Sequence, residues 1–368
     1  MNTAIGNYQS PFKCSNCGTS QPLNLSGWNC PRCGGLLDLS APLSVDPHKI
    51  DASERGIWRY RHTFPLPAHA EPASLGEGGT PLVSADLDGR TVHFKLEYLN
   101  PTGSFKDRGM AVMLTALRAI GVREAVEDSS GNAGASFAGY AARAGIRARV
   151  FVPAQASGPK RVQIAAHGAE VVPVEGPRSK AAEAVQAAAA GGSYYASHIY
   201  NPVGLAGNAT AAYEIWEQLG HAPESIVLPV GHGTLLIGLH RGFIALKAAG
   251  LIERLPRLVG VQAMACAPLW AVQNYGRDGL AWVTEGETIA EGIRVVQPLR
   301  GDAVLAAIAE SGGTMLAVDD PAIQVGRDSL ARLGFYVELT SAVVWEALKQ
   351  VPGEVVVMLT GHGLKGAG

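Results

Sequence analysis

The chain has 368 residues, of which 47% are hydrophobic and only 17% charged, which excludes a disordered polymer or a coiled coil and permits a large core. A net charge of −2 gives no electrostatic reason to expect nucleic acid or an anionic membrane as a partner. At roughly 150 residues per domain, two or three folding units are expected. Residues 1–12 show no basic segment followed by an apolar one, so no signal peptide is expected. The most apolar stretch, 258–272, holds Gln262 and Pro268 and falls short of the ~18 residues that span a bilayer. These observations lead to the expectation of a cytoplasmic protein with neither a nucleic-acid nor a membrane partner.

Cysteines come first along the chain. Cys14-Ser-Asn-Cys17 and Cys30-Pro-Arg-Cys33 form two CxxC turns. Each turn aims two thiols into one space, and two turns make a tetrahedral cage suited to structural Zn2+. Two disulfides, or a ribbon without metal, are the alternatives. Gly18 and Gly34 follow the second cysteine of each turn, where a positive φ closes it. Few basic residues surround the cluster (Lys13, Arg32), so a nucleic-acid module is not expected. A zinc-ribbon-like module is therefore placed at 1–38, and a connector rich in Pro, His and Ala at 39–75.

From residue 76 to 368 the pattern is strand, Gly turn, helix, repeated. Strands are expected at 93–97, 125–128, 149–152, 170–174, 225–230, 258–262, 315–318 and 354–359. Helices are expected at 110–120, 133–144, 179–190, 205–219, 235–249 and 303–311. Short apolar strands alternating with Ala-rich helices imply α/β architecture with parallel sheets covered on both faces.

Ligands in such sheets sit beyond the C-terminal ends of strands, and four segments there carry chemistry. Asn100-Pro-Thr-Gly-Ser-Phe-Lys106 turns into a helix near Ser104, placing Lys106 in its first turn. The macrodipole disfavours a cation there, so a lowered pKa and Schiff-base chemistry are possible beside the plain reading of a surface lysine. Asp128-Ser-Ser-Gly-Asn132-Ala-Gly134 offers hydroxyls and a helix start as an anion site, or an ordinary N-cap. Gly231-His-Gly-Thr234 sits between a strand and a helix, where backbone N–H groups can approach a phosphate; it is neither a Walker motif nor a dinucleotide fingerprint. Thr360 puts a hydroxyl at the end of the last strand. Together these supply a reactive lysine, a carboxylate site, a phosphate cradle and a neutral polar group, a set that suits pyridoxal 5′-phosphate handling an amino acid.

The run from Lys95 to Arg108, Lys-Leu-Glu-Tyr-Leu-Asn-Pro-Thr-Gly-Ser-Phe-Lys-Asp-Arg, resembles the lysine motif of fold-type II pyridoxal-phosphate enzymes, and of threonine synthases in particular. Leu359-Thr-Gly-His-Gly-Leu-Lys365 resembles the C-terminal threonine synthase motif, and the N-terminal ribbon is also frequent there. The resemblance implies a two-subdomain, three-layer fold in which a small subdomain of about 110–200 moves, and a homodimer. It implies that Lys106 holds the cofactor and shuttles protons, and that Asn132 bonds the cofactor's 3′-oxygen. The backbone of Gly231, His232, Gly233, Thr234 and Leu235 would hold its phosphate, and Thr360 would face its ring nitrogen. Ser129, Ser130 and Gly131 would grip the substrate carboxylate. Ser157, Lys160, Arg161 and Asn201, expected in loops, are candidates for the substrate's phosphate; for Lys160 and Arg161 a solvated helix start is the alternative. The implied reaction is a lyase reaction: O-phosphohomoserine loses phosphate from Cγ and water adds at Cβ, giving threonine.

His232 stands in the phosphate turn where small residues or Asn are common, which bears on the contacts there. Three departures point toward the runner-up, a threonine/serine dehydratase or another β-replacing enzyme such as a cysteate synthase. Ala133 stands where a hydroxyl is common. Gly158-Pro-Lys160 and Ala290-Glu-Gly-Ile293 look dehydratase-like. No acidic residue follows Lys365.

Overall fold

The computed structural model describes residues 11–22, 27–87, 89–155, 158–176 and 178–366. Three sheets organise it. Strands β1 (Phe12–Cys14), β2 (Ser20–Gln21) and β3 (Leu37–Leu39) form a small antiparallel sheet in the order β2-β1-β3.

The largest sheet begins with the antiparallel pair β4 (Leu82–Leu87) and β5 (Arg90–Lys95). Three further strands precede the last one: β10 (Ser225–Pro229), β11 (Arg257–Ala263) and β12 (Thr314–Val318). With β13 (Val355–Met358) the order is β12-β11-β10-β13-β5-β4, all parallel apart from the β4–β5 pair. The second parallel sheet is built from β6 (Glu124–Glu127), β7 (Arg147–Pro153), β8 (Glu170–Val174) and β9 (Tyr194–Tyr195), ordered β8-β7-β6-β9. Every residue of β10 and β13 is buried. Their apolar, β-branched runs (Ser-Ile-Val-Leu-Pro and Val-Val-Val-Met) suit strands covered on both faces.

Helices α1 (Lys106–Ala119), α2 (Asn132–Ala144), α3 (Pro159–Ala166) and α4 (Arg178–Ala190) accompany the second sheet. Helices α5 (Val203–Leu219) and α6 (Thr234–Ala248) pack on each other, and α5 also packs on α1. All eight strands and six helices expected from the sequence are present, the last of these helices being α8 (Gly301–Glu310). The strands of the cysteine module, β4, the two-residue β9 and helices α3, α7 (Pro268–Tyr275) and α9 (Asp320–Arg332) were not expected. Lys160 and Arg161 are therefore in the first turn of α3, not in a loop; Pro159, with φ preset and no N–H to lose, starts that turn.

The segment after the cysteine module buries Ile57, Trp58, Tyr60 and Phe64 in the main core. Trp58 Nε1 donates to buried Glu77 at 2.5 Å, and Tyr140 Oη donates to the same carboxylate at 2.9 Å. No helix among the described residues is long and apolar enough to cross a membrane.

Candidate active site

The lysine motif is anchored before it is reactive. Arg108, fully buried two residues after Lys106, grips Glu97 from Nε and Nη2, both at 2.7 Å, and Glu214 from Nη1 and Nη2, both at 2.7 Å. Lys95 joins Glu214 at 2.8 Å and donates to Thr80 O at 2.7 Å. Two buried cations thus meet two buried carboxylates, each with further hydrogen bonds, the condition under which a buried ion cluster holds its geometry. Asp107 adds a second anchor: the Thr102 hydroxyl (2.5 Å) and the Ser136 hydroxyl (2.6 Å) both donate to it. Burial pushes the Asp107 carboxyl up to about 6.

Held at both neighbours, Lys106 begins α1 half-buried. Burial presses its ammonium down to about 8, Glu127 opposing and Arg178 adding to the effect. The sequence argument rested on the helix macrodipole; the principal cause is desolvation.

Segments far apart in sequence converge on this lysine. Ser104 and Gly361 form a β-bridge between the turn after β5 and the end of β13. Asn132, at the start of α2, donates from Nδ2 to Glu338 at 2.8 Å, and Lys160 pairs with the other oxygen of Glu338 at 2.9 Å. Buried Thr360 is set by Ser341. The amides of Thr360 (3.0 Å) and Gly361 (2.9 Å) both donate to Ser341 Oγ, which is 2.9 Å from Thr360 Oγ1. Those two amides occupy both lone pairs of the Ser341 oxygen, so its own proton is shared between Thr360 Oγ1 and Gly361 O at 3.4 Å. The Thr360 hydroxyl is thereby left as a donor.

The turn from Gly231 to Gly233 leads into α6, whose first amides have no partner inside the helix. Gly233 has φ +79°, and a Cβ there would lie 2.2 Å from Val304 Cγ2, so conformation and space both demand glycine. Ser129 is buried, and its hydroxyl accepts from the Gly131 amide at 3.2 Å; Gly131 caps α2. Asn201 is buried in the loop before α5. Its Nδ2 donates to Tyr194 Oη at 3.3 Å and its Oδ1 accepts from the Val203 amide at 2.9 Å, so its polar atoms serve the frame. Ser157 lies outside the described residues.

Several residues escaped the sequence argument. Glu338 and Ser341 reach the site from beyond α9 with no spacing signal. Arg178, at the start of α4, lies close enough to lower Lys106 and His198. Glu127 did leave a signal, a carboxylate at the end of the short strand Glu-Ala-Val-Glu. His198 bonds it through Nδ1 at 2.9 Å.

Whether pyridoxal phosphate suits these residues can be judged from what they leave unsatisfied. Asn132 Oδ1, Ser104 Oγ and His232 Nδ1 are buried polar atoms without partners, and all three lie here. Buried polar groups are ordinarily paired, so together with free helix amides and a donor hydroxyl they mark a place built for a polar ligand. The donor set fits the cofactor.

At the N-terminus, Cys14 and Cys33 bring their sulfurs to 3.6 Å, as do Cys17 and Cys30. All four ligand atoms lie within 4.8 Å of one another. A zinc–sulfur tetrahedron with bonds of about 2.3 Å has edges of about 3.8 Å, so the cage fits that ion. Gly18 and Gly34 have the expected positive φ, and their amides bond back to Cys14 O and Cys30 O.

Parallel sheets, a half-buried lysine at a helix start and a glycine turn leading into a second helix suit a fold-type II pyridoxal-phosphate-dependent lyase, and residues 73–361 match the family described as pyridoxal-phosphate dependent enzyme. The chain is 34% identical to threonine synthase of Methanosarcina acetivorans, over 96% of this chain and 92% of that protein. It is 37% identical to threonine synthase of Mycobacterium leprae, over 84% and 88%. The chain belongs to the threonine synthase family of these enzymes. Among solved structures it is similar to a threonine deaminase from T.th., with a TM-score of 0.66 and 26% identity over 77% of this chain and 92% of that one. Maize serine racemase aligns with a TM-score of 0.67 and 21% identity, covering 77% and 88%, a likeness of fold. The dehydratase alternative is not favoured, because the extended sequence likeness runs to threonine synthases.

Proposed function

We propose that this enzyme converts O-phosphohomoserine and water to threonine and phosphate, with Lys106 as its central group. The observation that carries this reading is the meeting of a lysine pressed to about 8 with a donor hydroxyl at Thr360 and a free helix N-terminus at Thr234. Pyridoxal phosphate, when bound, supplies the electron-withdrawing ring that makes a substrate Cα proton removable. Lys106 Nζ would hold the cofactor and would carry the proton at Cα. The amides of Gly231, His232, Gly233, Thr234 and Leu235 bind its phosphate. Asn132 keeps one amide proton on Glu338 and turns the other to the 3′-oxygen. Thr360 donates to the ring nitrogen, leaving it unprotonated and moderating electron withdrawal. Ser129, Ser130 and the Gly131 amide take the substrate carboxylate. Lys160 serves the leaving phosphate; the sequence reading adds Ser157 and Asn201, of which Asn201 has its polar atoms bonded to Tyr194 and Val203.

The same reading includes structural zinc held by Cys14, Cys17, Cys30 and Cys33. It also includes a cytoplasmic homodimer, and a division into a 1–38 module, a 39–75 connector and a 76–368 catalytic domain whose part from about 110 to 200 moves on substrate binding. Sedimentation gives twice the chain mass if the dimer is right. O-phosphohomoserine offered to the cofactor-loaded protein should release phosphate and threonine in equal amounts, and Lys106→Ala should abolish both. Ammonia from serine or threonine, with no phosphate released, would contradict the assignment.

A further inference from the structure

Arg300 has no part in the reading above. It stands buried just before α8, and its side chain grips two distant segments at once. Nε donates to Ile199 O at 2.7 Å, and Nη2 donates to Tyr200 O at 3.1 Å and to Leu37 O at 2.8 Å. Nη1 lies 3.8 Å from Asp38 Oδ2. Burial lowers the guanidinium to about 10, Asp38 opposing and Arg241 adding, so it stays charged at neutral pH. A planar fork whose N–H groups point along set directions fixes the carbonyls it binds relative to one another.

The partners belong to different parts of the enzyme. Ile199 and Tyr200 lie in the 196–202 segment, where the chain leaves β9 of the second parallel sheet and enters α5. His198 in that segment is tied to Glu127 at 2.9 Å, and Asn201 Oδ1 accepts from the Val203 amide at the start of α5 at 2.9 Å. Leu37 and Asp38 are in β3, an edge strand of the cysteine module, and Leu37 pairs in register with Cys14. One strand pair therefore separates a sulfur of the cage from the carbonyl that Arg300 takes.

Two further contacts lead from the same place to the turn before α6. Both oxygens of Asp38 accept from Arg241 on α6, from Nη1 and Nη2, each at 2.7 Å. Val304 of α8 lies against Gly233 in that turn. Arg300 thus ties the end of the second sheet's segment to the module, and the module to the helices of the largest sheet.

We propose that Arg300 is a positioning residue that pins residues 199–200 to the cysteine module, so that metal in the module sets how tightly the enzyme holds its substrate. The proposal rests on the threonine-forming reading and on the movement of the part from about 110 to 200 included in it. That part turns about its junctions with the rest of the chain, and 199–200 is one of them. Held there to groups outside the moving part, it closes over substrate from one fixed arrangement. With the pin loose, the closed arrangement is one of several that substrate must select, and affinity falls. The chemistry after closure is little changed, since Arg300 binds only backbone carbonyls and Asp38.

Amide exchange reads the coupling without substrate. In cofactor-free protein, chelating the module's metal should speed exchange of the 199–201 amides by about 10-fold. In Arg300→Ala those amides should already exchange at the faster rate, and chelation should add nothing. Wild-type amides indifferent to chelation, a result that needs no variant, overturn the proposal, as does an equal response in both proteins. In the loaded enzyme, Arg300→Ala should raise the KM for O-phosphohomoserine about 10-fold with kcat within about twofold. N-ethylguanidinium, the piece removed, should lower that KM and leave the wild type unchanged. Arg300→Lys, which keeps the charge and loses the fork, should fall between the two. A KM at the wild-type value, or a loss confined to kcat, overturns the pin and leaves the functional reading standing. No phosphate from O-phosphohomoserine in the wild type overturns that reading and the KM effect with it; the exchange measurement, free of substrate, tells the two failures apart.

Discussion

The cysteine module and the cofactor site solve the same problem, fixing several reactive atoms in one small space, from opposite starting points. The module takes its four sulfurs from one local stretch, Cys14 to Cys33, and has short strands and few buried side chains of its own. The cofactor site gathers groups from Lys106 to Thr360, carried on strand ends that a continuous core holds in place. A local site has little core to order it, so its ligand must; a distributed site inherits order from packing and can be built before its ligand arrives.

Removing metal should separate the two most strongly. Structural zinc contributes on the order of 10 kcal/mol to small modules. Chelation or Cys14→Ser should therefore abolish amide protection across residues 12–39 while the cofactor's visible absorbance persists. Loss of both together would break the comparison. The core-built site should instead fail through its ion cluster. Arg108→Met leaves Glu97 without an ion-pair partner and Glu214 with Lys95 alone, at a cost of about 3–5 kcal/mol measured by urea unfolding, with the cysteine module's amide protection unchanged.

The smallest effect tests where the two regions touch. Trp28 packs edge to face on Tyr195 (5.2 Å) and Tyr200 (4.5 Å). Buried Arg300 binds Leu37 O at 2.8 Å, Ile199 O at 2.7 Å and Tyr200 O at 3.1 Å. The module thus braces the segment that carries His198 and Asn201. Trp28→Ala should cost about 1–3 kcal/mol for its two ring contacts, read mainly as a raised KM. An unchanged KM would make the two regions independent.

The meeting of four sulfurs was legible in the sequence, because CxxC spacing sets it locally. The distributed site was legible where its residues lie in contiguous motifs: Lys106, Asn132, the turn before α6 and Thr360. Glu338 and Ser341 were not, because chain folding alone brings them to Asn132 and Thr360. For Lys160 a loop and a helix start were both open, and the structure shows the helix start, which Pro159 opens. Glu127 and His198 were not singled out, because chain folding alone brings the loop after β9 to the end of β6.

The account's central claim is that Lys106 carries the cofactor. Borohydride reduction of the loaded protein followed by peptide mapping tests it directly. Only the neutral amine can react, so loading should quicken as pH rises through about 8, the value to which burial presses Lys106. Burial brings Lys365 to about 8 as well, but its Nζ is committed to Thr102 O at 2.6 Å. The label should be found on the peptide holding Lys106; finding it on Lys95, Lys160 or Lys365 would contradict the account.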